Sequence, residues 1–306
     1  MKSPVALFAY RRPEHLRRVV ESLRANPEAA ETDLYIYCDA ARGPSDQSDV
    51  AAVTSYADTV SGFQTITVIK RDKNFGLSKS IIDGVTRMCD EYGKVIVLED
   101  DLVTSPYFLN YMNNALNCYE SDEKVISVHG YMYPVIAEIP ETFFLRDPGC
   151  WGWGTWKRGW DLFEADGKKL REQLNVGGFG REFNFSDSYD YMGMLNAQIA
   201  GRNDSWAVRW YASAFLLNKL TLYPGKSLVR NIGHDGSGWH GGKSDKFSVE
   251  LAANPVSVRG IEIEENQYAR SALIKYLKSI RSSWRQKMVI NIRSKIYDAY
   301  SSIFGK

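Results

Sequence analysis

Three consecutive carboxylates, Glu99, Asp100 and Asp101, close the apolar run Val95-Ile-Val-Leu98 in the stretch VIVLEDDLVTSP. Adjacent carboxylates repel and resist desolvation unless a cation stands among them. A hard divalent ion such as Mn²⁺ or Mg²⁺ meets that need, because it prefers carboxylate oxygens and shares its coordination with substrate phosphate. The plain alternative is a solvated acidic turn that ends a strand and lets Ser105-Pro106 begin a helix. An uninterrupted branched run reads as a strand covered on both faces, as in parallel sheets, and ligands of open α/β sheets gather at the carboxyl ends of such strands. Asp39 closes a second run of this kind, DLYIYC.

The elements that must position these acids alternate along the first hundred residues. Pro4 to Tyr10 reads as a strand. Pro13 to Asn26 reads as a helix with Leu16, Val19, Val20 and Leu23 on one face. Asp33 to Cys38 is a strand, Asp49 to Ser61 a helix, Thr65 to Lys70 a strand and Leu77 to Glu91 a helix leading into the acidic stretch. Four strand-helix alternations with short connections predict a doubly wound α/β half. Beyond Pro106 the pattern predicts a helix over Tyr107 to Tyr119, a strand over Val125 to His129, and a loop-rich region from Gly130 to about Asp187.

A chain of 306 residues with 44% hydrophobic content can bury a full core. Cys38, Cys89, Cys118 and Cys150 lie far apart and show no zinc spacing, which favours a reducing compartment over a disulfide framework. No stretch approaches the ~20 apolar residues of a spanning helix, and the amino terminus lacks a cleavable leader pattern. A cytoplasmic protein is the expectation. From Ser271 to Lys306 eight basic residues face Asp298 alone, a net +7, while the other 270 residues carry 30 basic and 36 acidic side chains, a net −6. Leu273, Ile274, Leu277, Ile280, Trp284, Met288, Ile292 and Ile296 recur there at helical spacing. The tail therefore reads either as a basic amphipathic helix on the anionic inner face of a membrane or as a helix packed on the body with its lysines in water. No nucleic-acid motif accompanies it.

Seven of the eight tryptophans lie between Trp151 and Trp239, with glycines among them in CWGWGTWKRGW. Such aromatics serve either as core or as stacking surfaces. Two phosphate devices are missing: FAYRRPEHL carries no G-x-G-x-x-G after the first strand, and no G-x-x-x-x-G-K-[ST] loop occurs. A nucleotide held through base and ribose, with its diphosphate on a metal, suits the acidic strand ends better.

At FAYRRP, NFGLSKSII, VLEDDL, NDSWAVRWYASAF and NIGHDGSGWH, over roughly residues 4 to 242, the sequence resembles the GT-A-fold glycosyltransferases. The nearest likeness is to the inverting N-acetylglucosaminyltransferase I type and bacterial surface-glycan relatives. The resemblance implies a mixed, mainly parallel α/β sheet flanked by helices. Residues 1–102 would form a nucleotide-sugar-binding half, 103–245 an acceptor-binding half, and 246–306 an extension.

The resemblance further implies a UDP-sugar donor and a glycan or lipid-linked glycan acceptor. Ala9, Tyr10, Arg11, Asp39, Asn74, Leu77, Glu99 and Asp100 would line the donor. Asp101 would hold Mn²⁺ or Mg²⁺, with His240, rather than His234, reaching the diphosphate or metal. Gly152, Trp153 and Trp206 would meet the acceptor, and Asp204 would be the general base, its proton affinity raised by Trp206 and Trp210. Helix capping is the alternative role for Asp204. The motif reads Glu-Asp-Asp where the family pattern is Asp-x-Asp. Two rivals are a non-catalytic carbohydrate- or divalent-ion-binding module and a nucleotidyltransferase; the second calls for a Gly-rich, lysine-bearing loop after strand one.

Overall fold

A computed structural model of the chain describes residues 2–236 and 244–281. The first half alternates as expected: β1 (Val5–Ala9), α1 (Pro13–Arg24), β2 (Asp33–Cys38), α2 (Gln47–Ala57), β3 (Thr65–Lys70), α3 (Leu77–Tyr92) and β4 (Lys94–Glu99). The strands β3, β2, β1 and β4 lie side by side and parallel. Their register explains the unbroken apolar runs. Val5, Leu7 and Ala9 of β1 join one core cluster with α1, α2 and the helix after β4, while Ala6 and Phe8 join another with Ile81, Val85 and Met88 of α3. A strand buried on both faces has no polar side to display.

Beyond β4 follow β5 (Leu102–Thr104), α4 (Phe108–Cys118), β6 (Val125–His129), β7 (Thr142–Leu145), β8 (Trp153–Trp156) and four short helices, α5 (Lys157–Trp160), α6 (Gly167–Val176), α7 (Gly180–Phe183) and α8 (Tyr191–Ile199). The chain then forms α9 (Trp206–Leu216), β9 (Leu220–Pro224) and β10 (Val229–Asn231). The eight-stranded sheet runs β3-β2-β1-β4-β8-β6-β9-β7, and β10 pairs with β5 in a separate antiparallel ribbon. The architecture is the expected mixed, mainly parallel sheet flanked by helices.

The stretch expected to be loop-rich is instead structured. Trp153–Trp156 enters the sheet antiparallel between β4 and β6, pairing Val97 with Trp153 and His129 with Trp153 on its two sides. A four-residue Trp-Gly-Thr-Trp segment is too short for periodicity to reveal, and only its two neighbours make it a strand. The extension also belongs to the body. Val249, Ala252 and Val256 are buried in the main core. Residues 267–281 are helical and press Ala269, Leu273 and Leu277 onto Phe143, Leu145 and Tyr223. The first part of the basic tail thus spends its apolar stripe on protein; residues 282–306 lie outside the described residues. Among the described residues no helix is long and apolar enough to cross a membrane, and all four cysteines are free.

Candidate functional site

The carboxyl ends of β1, β2 and β4 meet at one edge of the sheet, and those of β2 and β4 carry the acids singled out above. Asp39, directly after β2, is buried, and four donors engage its carboxylate. Oδ1 accepts from the backbone N–H of Ala40 at 3.0 Å and of Phe75 at 2.8 Å; Oδ2 accepts from Gly76 N–H at 2.9 Å and from Asn74 Nδ2 at 3.1 Å. Asn74 also donates to the Ala40 carbonyl at 2.7 Å. Asp39 and Asn74 are therefore brought together, as a latch that holds the 74–76 loop against the end of β2. Gly76, at φ 72°, turns that loop into the first turn of α3, where Leu77 stands exposed. Only glycine takes that backbone at little cost.

Ala9 ends β1 with its carbonyl accepting from Asp39 N–H at 3.0 Å. Tyr10 sends its N–H to Asp100 Oδ2 at 3.1 Å and its hydroxyl to Asp46 Oδ2 at 2.6 Å. That phenol lowers the proton affinity of Asp46, and the hydroxyl accepts from Arg42 N–H at 3.2 Å. Arg11 turns toward Asp46 at 3.5 Å with its head half in solvent.

Arg12, which the sequence reading passed over, is central. Its guanidinium donates to Asp100 Oδ1 and, at 3.1 Å, to Asp101 Oδ2. Burial by itself would weaken its proton affinity, but Asp100 and Asp101 more than offset this and hold it above the ordinary arginine value. Three carboxylates face one guanidinium, so the strand end retains negative charge. Burial, with Asp101 and Asp100 alongside, pushes Glu99 up to about 8. Asp100 is raised by burial, against the pull of Arg12.

The ribbon of β5 and β10 brings the next loop alongside. Ile232 N–H donates to the Asp101 carbonyl at 2.8 Å, and a Cβ at position 233 would stand 2.2 Å from Asp101 Oδ2 and 3.0 Å from Arg12 Nη1, so Gly233 allows the close approach. His234 follows, its ring 5.6 Å from Trp151 and 5.7 Å from Phe247, with Nε2 buried and without a hydrogen-bond partner among the described residues. His240 lies outside the described residues. No three His, Cys, Asp or Glu among the described residues converge into a complete metal-binding group. Asp101, whose carboxylate meets Arg12 on one oxygen only, nonetheless fits a divalent cation of the kind that takes one or two carboxylates and completes its shell with water and phosphate, with Glu99 beside it joining on loss of its proton. Asp101 and Glu99 are the residues that would hold it.

Asp204 approaches from α9. Its side chain is 69% exposed, with Oδ1 3.8 Å from Arg209 Nη2. Ser205, not Asp204, caps α9, its Oγ accepting from Val208 N–H at 3.2 Å. Arg209 in turn donates to Ser78 Oγ in the first turn of α3 at 2.7 Å and to the carbonyls of Ser205 and Ala165, both at 3.2 Å. Asp204 is thereby tied to the same helix start that the Asp39 latch positions. Trp206 and Trp210, expected to raise its proton affinity, both pack into the core, at 3% and 0% exposure, and leave the carboxylate in solvent.

The expected acceptor residues are also corrected. Trp153 stacks on Trp206 with ring centroids 5.2 Å apart and interplanar angle 26°, and both pack with Trp160 and Trp210 under α3. Gly152 is buried, its carbonyl accepting from Gly130 N–H at 2.6 Å. Placing Trp153 on a strand between two others forces its side chain into the interior. Trp151, two residues earlier, stays partly exposed beside Tyr131, His234 and Phe247. The only signal for Trp151 was its membership of the tryptophan-glycine run; for Arg12, its place directly before the helix-starting Pro13.

No protein-family model and no curated protein matches the sequence. Similar solved structures include TarS of S. aureus, at 12% identity and TM-score 0.36, covering 51% of this chain and 28% of TarS. A protein described as a nucleotide-diphospho-sugar transferase from Desulfovibrio desulfuricans G20 aligns at 12% identity and TM-score 0.32, over 54% of this chain and 69% of its own. An active-site variant of LgtC aligns at 13% identity and TM-score 0.34, over 56% and 63%. The aligned part of this chain spans less than two thirds of TarS and of LgtC.

Proposed function

We propose that this chain is an inverting glycosyltransferase that takes a nucleoside-diphosphate sugar, a UDP-sugar by preference, and passes the sugar to a hydroxyl of a glycan or lipid-linked glycan. One observation carries the reading. The acidic ends of β2 and β4, the Tyr10–Arg12 end of β1 between them, the latched 74–76 loop and the start of α3 share one edge of the sheet, with the exposed acid Asp204 tethered to that same helix start through Arg209 and Ser78. An open α/β sheet offers its ligand site at such an edge, and the amino end of a sixteen-residue helix favours phosphate there.

In this reading the acceptor hydroxyl oxygen attacks the anomeric carbon from the face opposite the nucleotide. Its proton passes to the Asp204 carboxylate, the bond from the anomeric carbon to the phosphate oxygen breaks, and that electron pair leaves with the nucleoside diphosphate. An exposed, unspent carboxylate on the α9 side can accept a proton that a group among the strand-end acids, on the leaving-group side, cannot reach. Arg209 keeps Asp204 oriented. Tyr10, Asn74 and the loop latched by Asp39 shape the nucleoside pocket; Asp39 itself acts by positioning, since its oxygens are already engaged. A bound divalent cation, held by Asp101 and Glu99, would neutralise charge on the departing diphosphate.

The test is a thermal-shift panel of UDP-, GDP-, dTDP- and CMP-sugars with and without Mn²⁺. A true donor at a hundred times its dissociation constant stabilises the fold by about 2.7 kcal/mol. No shift with any nucleotide sugar in either condition overturns the reading. Mn²⁺-dependent shifts lost in Asp101→Ala support the cation assignment; undiminished ones remove it.

A further inference from the structure

Arg12 stands where the acidic strand end needs a cation. From the residue before α1 it reaches across, through the one nitrogen Nη2, to two carboxylates that follow β4, and the two contacts are unequal. Asp100 is satisfied twice over, by the guanidinium on Oδ1 and by Tyr10 N–H on Oδ2, whereas Asp101 receives Arg12 on one oxygen at 3.1 Å. Gly233 passes close to both Asp101 Oδ2 and Arg12 Nη1, which keeps the pair in a narrow gap between the β1 end and the 231–235 loop. The arginine side chain remains 21% exposed and Asp101 15%, so a ligand arriving at the strand end meets both.

We propose that Arg12 is a built-in counter-cation that competes with a divalent metal for Asp101, so that metal and nucleoside diphosphate are taken up together rather than metal first. The inference rests on the donor reading above. In the free protein the guanidinium already offsets part of the charge that would attract a divalent ion. A diphosphate offers the guanidinium a second anionic partner of matching fork geometry. Both contacts come from Nη2, so a small turn of the guanidinium toward the diphosphate lets the longer one, to Asp101, go while the contact to Asp100 stays. By linkage, the factor by which the diphosphate tightens metal binding equals the factor by which metal tightens diphosphate binding.

The experiment is calorimetric titration of Mn²⁺ alone, and of UDP with and without Mn²⁺, into the full chain and into Arg12→Gln. Loss of the competing charge is expected to tighten binding of Mn²⁺ alone by at least about tenfold, within the ordinary range of coupling between sites, and to shrink the mutual enhancement of Mn²⁺ and UDP seen in the wild type. A merely structural arginine predicts the reverse, since its removal loosens the acids and weakens metal binding. Unchanged or weaker affinity for Mn²⁺ alone overturns the proposal. Should Arg12→Gln fail to fold, the wild type carries the test, and a mutual enhancement of Mn²⁺ and UDP below about fivefold overturns the proposal. Arg12→Lys, whose one ammonium can meet both carboxylates as Nη2 does, is expected to bind Mn²⁺ alone within about twofold of the wild type, and a marked tightening there counts against the proposal. Wild-type binding of UDP with Mn²⁺, together with no gain in Arg12→Gln, strikes the counter-cation alone. No UDP binding by the wild type strikes the donor reading and the coupling with it.

Discussion

Arg209 Nη2 stands 3.8 Å from Asp204 Oδ1 and 2.7 Å from Ser78 Oγ, so a single guanidinium links the acid before α9 to the first turn of α3. A pair that long, with its acid in solvent, contributes little stability. Its consequence is orientation, and it makes the role of Asp204 separable from folding. Asp204→Asn is expected to keep the fold and donor affinity while turnover falls 10²- to 10⁴-fold, the usual loss on removing a general base. Steady-state kinetics beside nucleotide titrations check it. Because Ser205 supplies the helix cap, Asp204→Ala should behave alike, without the ~1 kcal/mol loss of a missing cap. A fully active Asn variant would take Asp204 out of the mechanism and move attention to Asp187, Asp190 and Asp235.

Asp39 accepts from three backbone N–H groups and from Asn74. Asp39→Ala leaves those buried donors unpaired and should lower stability by ~1–3 kcal/mol or more. It should also weaken nucleotide binding, because the 74–76 loop loses its anchor. Urea melts and UDP titrations of the same variant measure the two effects; retained affinity in a destabilised variant would confine Asp39 to the fold.

Asp147 is buried, and no donor among the described residues reaches its carboxylate; burial, with Glu265 nearby, pushes it up to about 7. The unfolded chain gives up this proton near pH 3.8, the folded chain only near 7. Stability is therefore lost progressively as pH rises from about 4 to about 7, and no further loss from this group follows above that. Asp147→Asn should match the wild type near pH 4 and melt higher at pH 8. An equal melting difference at both pH values would contradict the sign.

Trp153 and Trp206 are core rather than acceptor surface. Trp153→Ala is expected to cost about 3–5 kcal/mol by the cavity it leaves. The milder Trp153→Phe should lower stability without raising the KM for acceptor; a raised KM at undiminished stability would return Trp153 to the acceptor site.

The helix over 267–281 is packed on the body. Truncation after Asn266 removes Leu273 and Leu277 from their cluster and should destabilise the fold. Truncation after Arg281 keeps that cluster whole. It removes Arg285, Lys287, Arg293, Lys295 and Lys306, and with them any salt-sensitive binding to anionic liposomes. Undiminished liposome binding by that shorter chain would move the membrane contact onto the body.

The alternating strands and helices up to Glu99 were legible in the chain because both faces of a central strand are apolar and each helix repeats its apolar stripe, patterns that are local and redundant. The acidic triplet was legible as well, since three charges after a buried run conflict with the strand's own surroundings. What the acids do depended on residues far away in sequence. Arg12 meets Asp100 across 88 positions, and Asp39 spends its oxygens on a loop 36 and 37 positions later. No local pattern announces such pairs, because they exist only once parallel strands bring their ends to one edge. The tryptophans show the same limit. Trp153 and Trp206 looked like surface for a sugar until a four-residue strand slipped between β4 and β6 and turned the indole inward, for strand pairing rather than residue type decides which face a side chain takes.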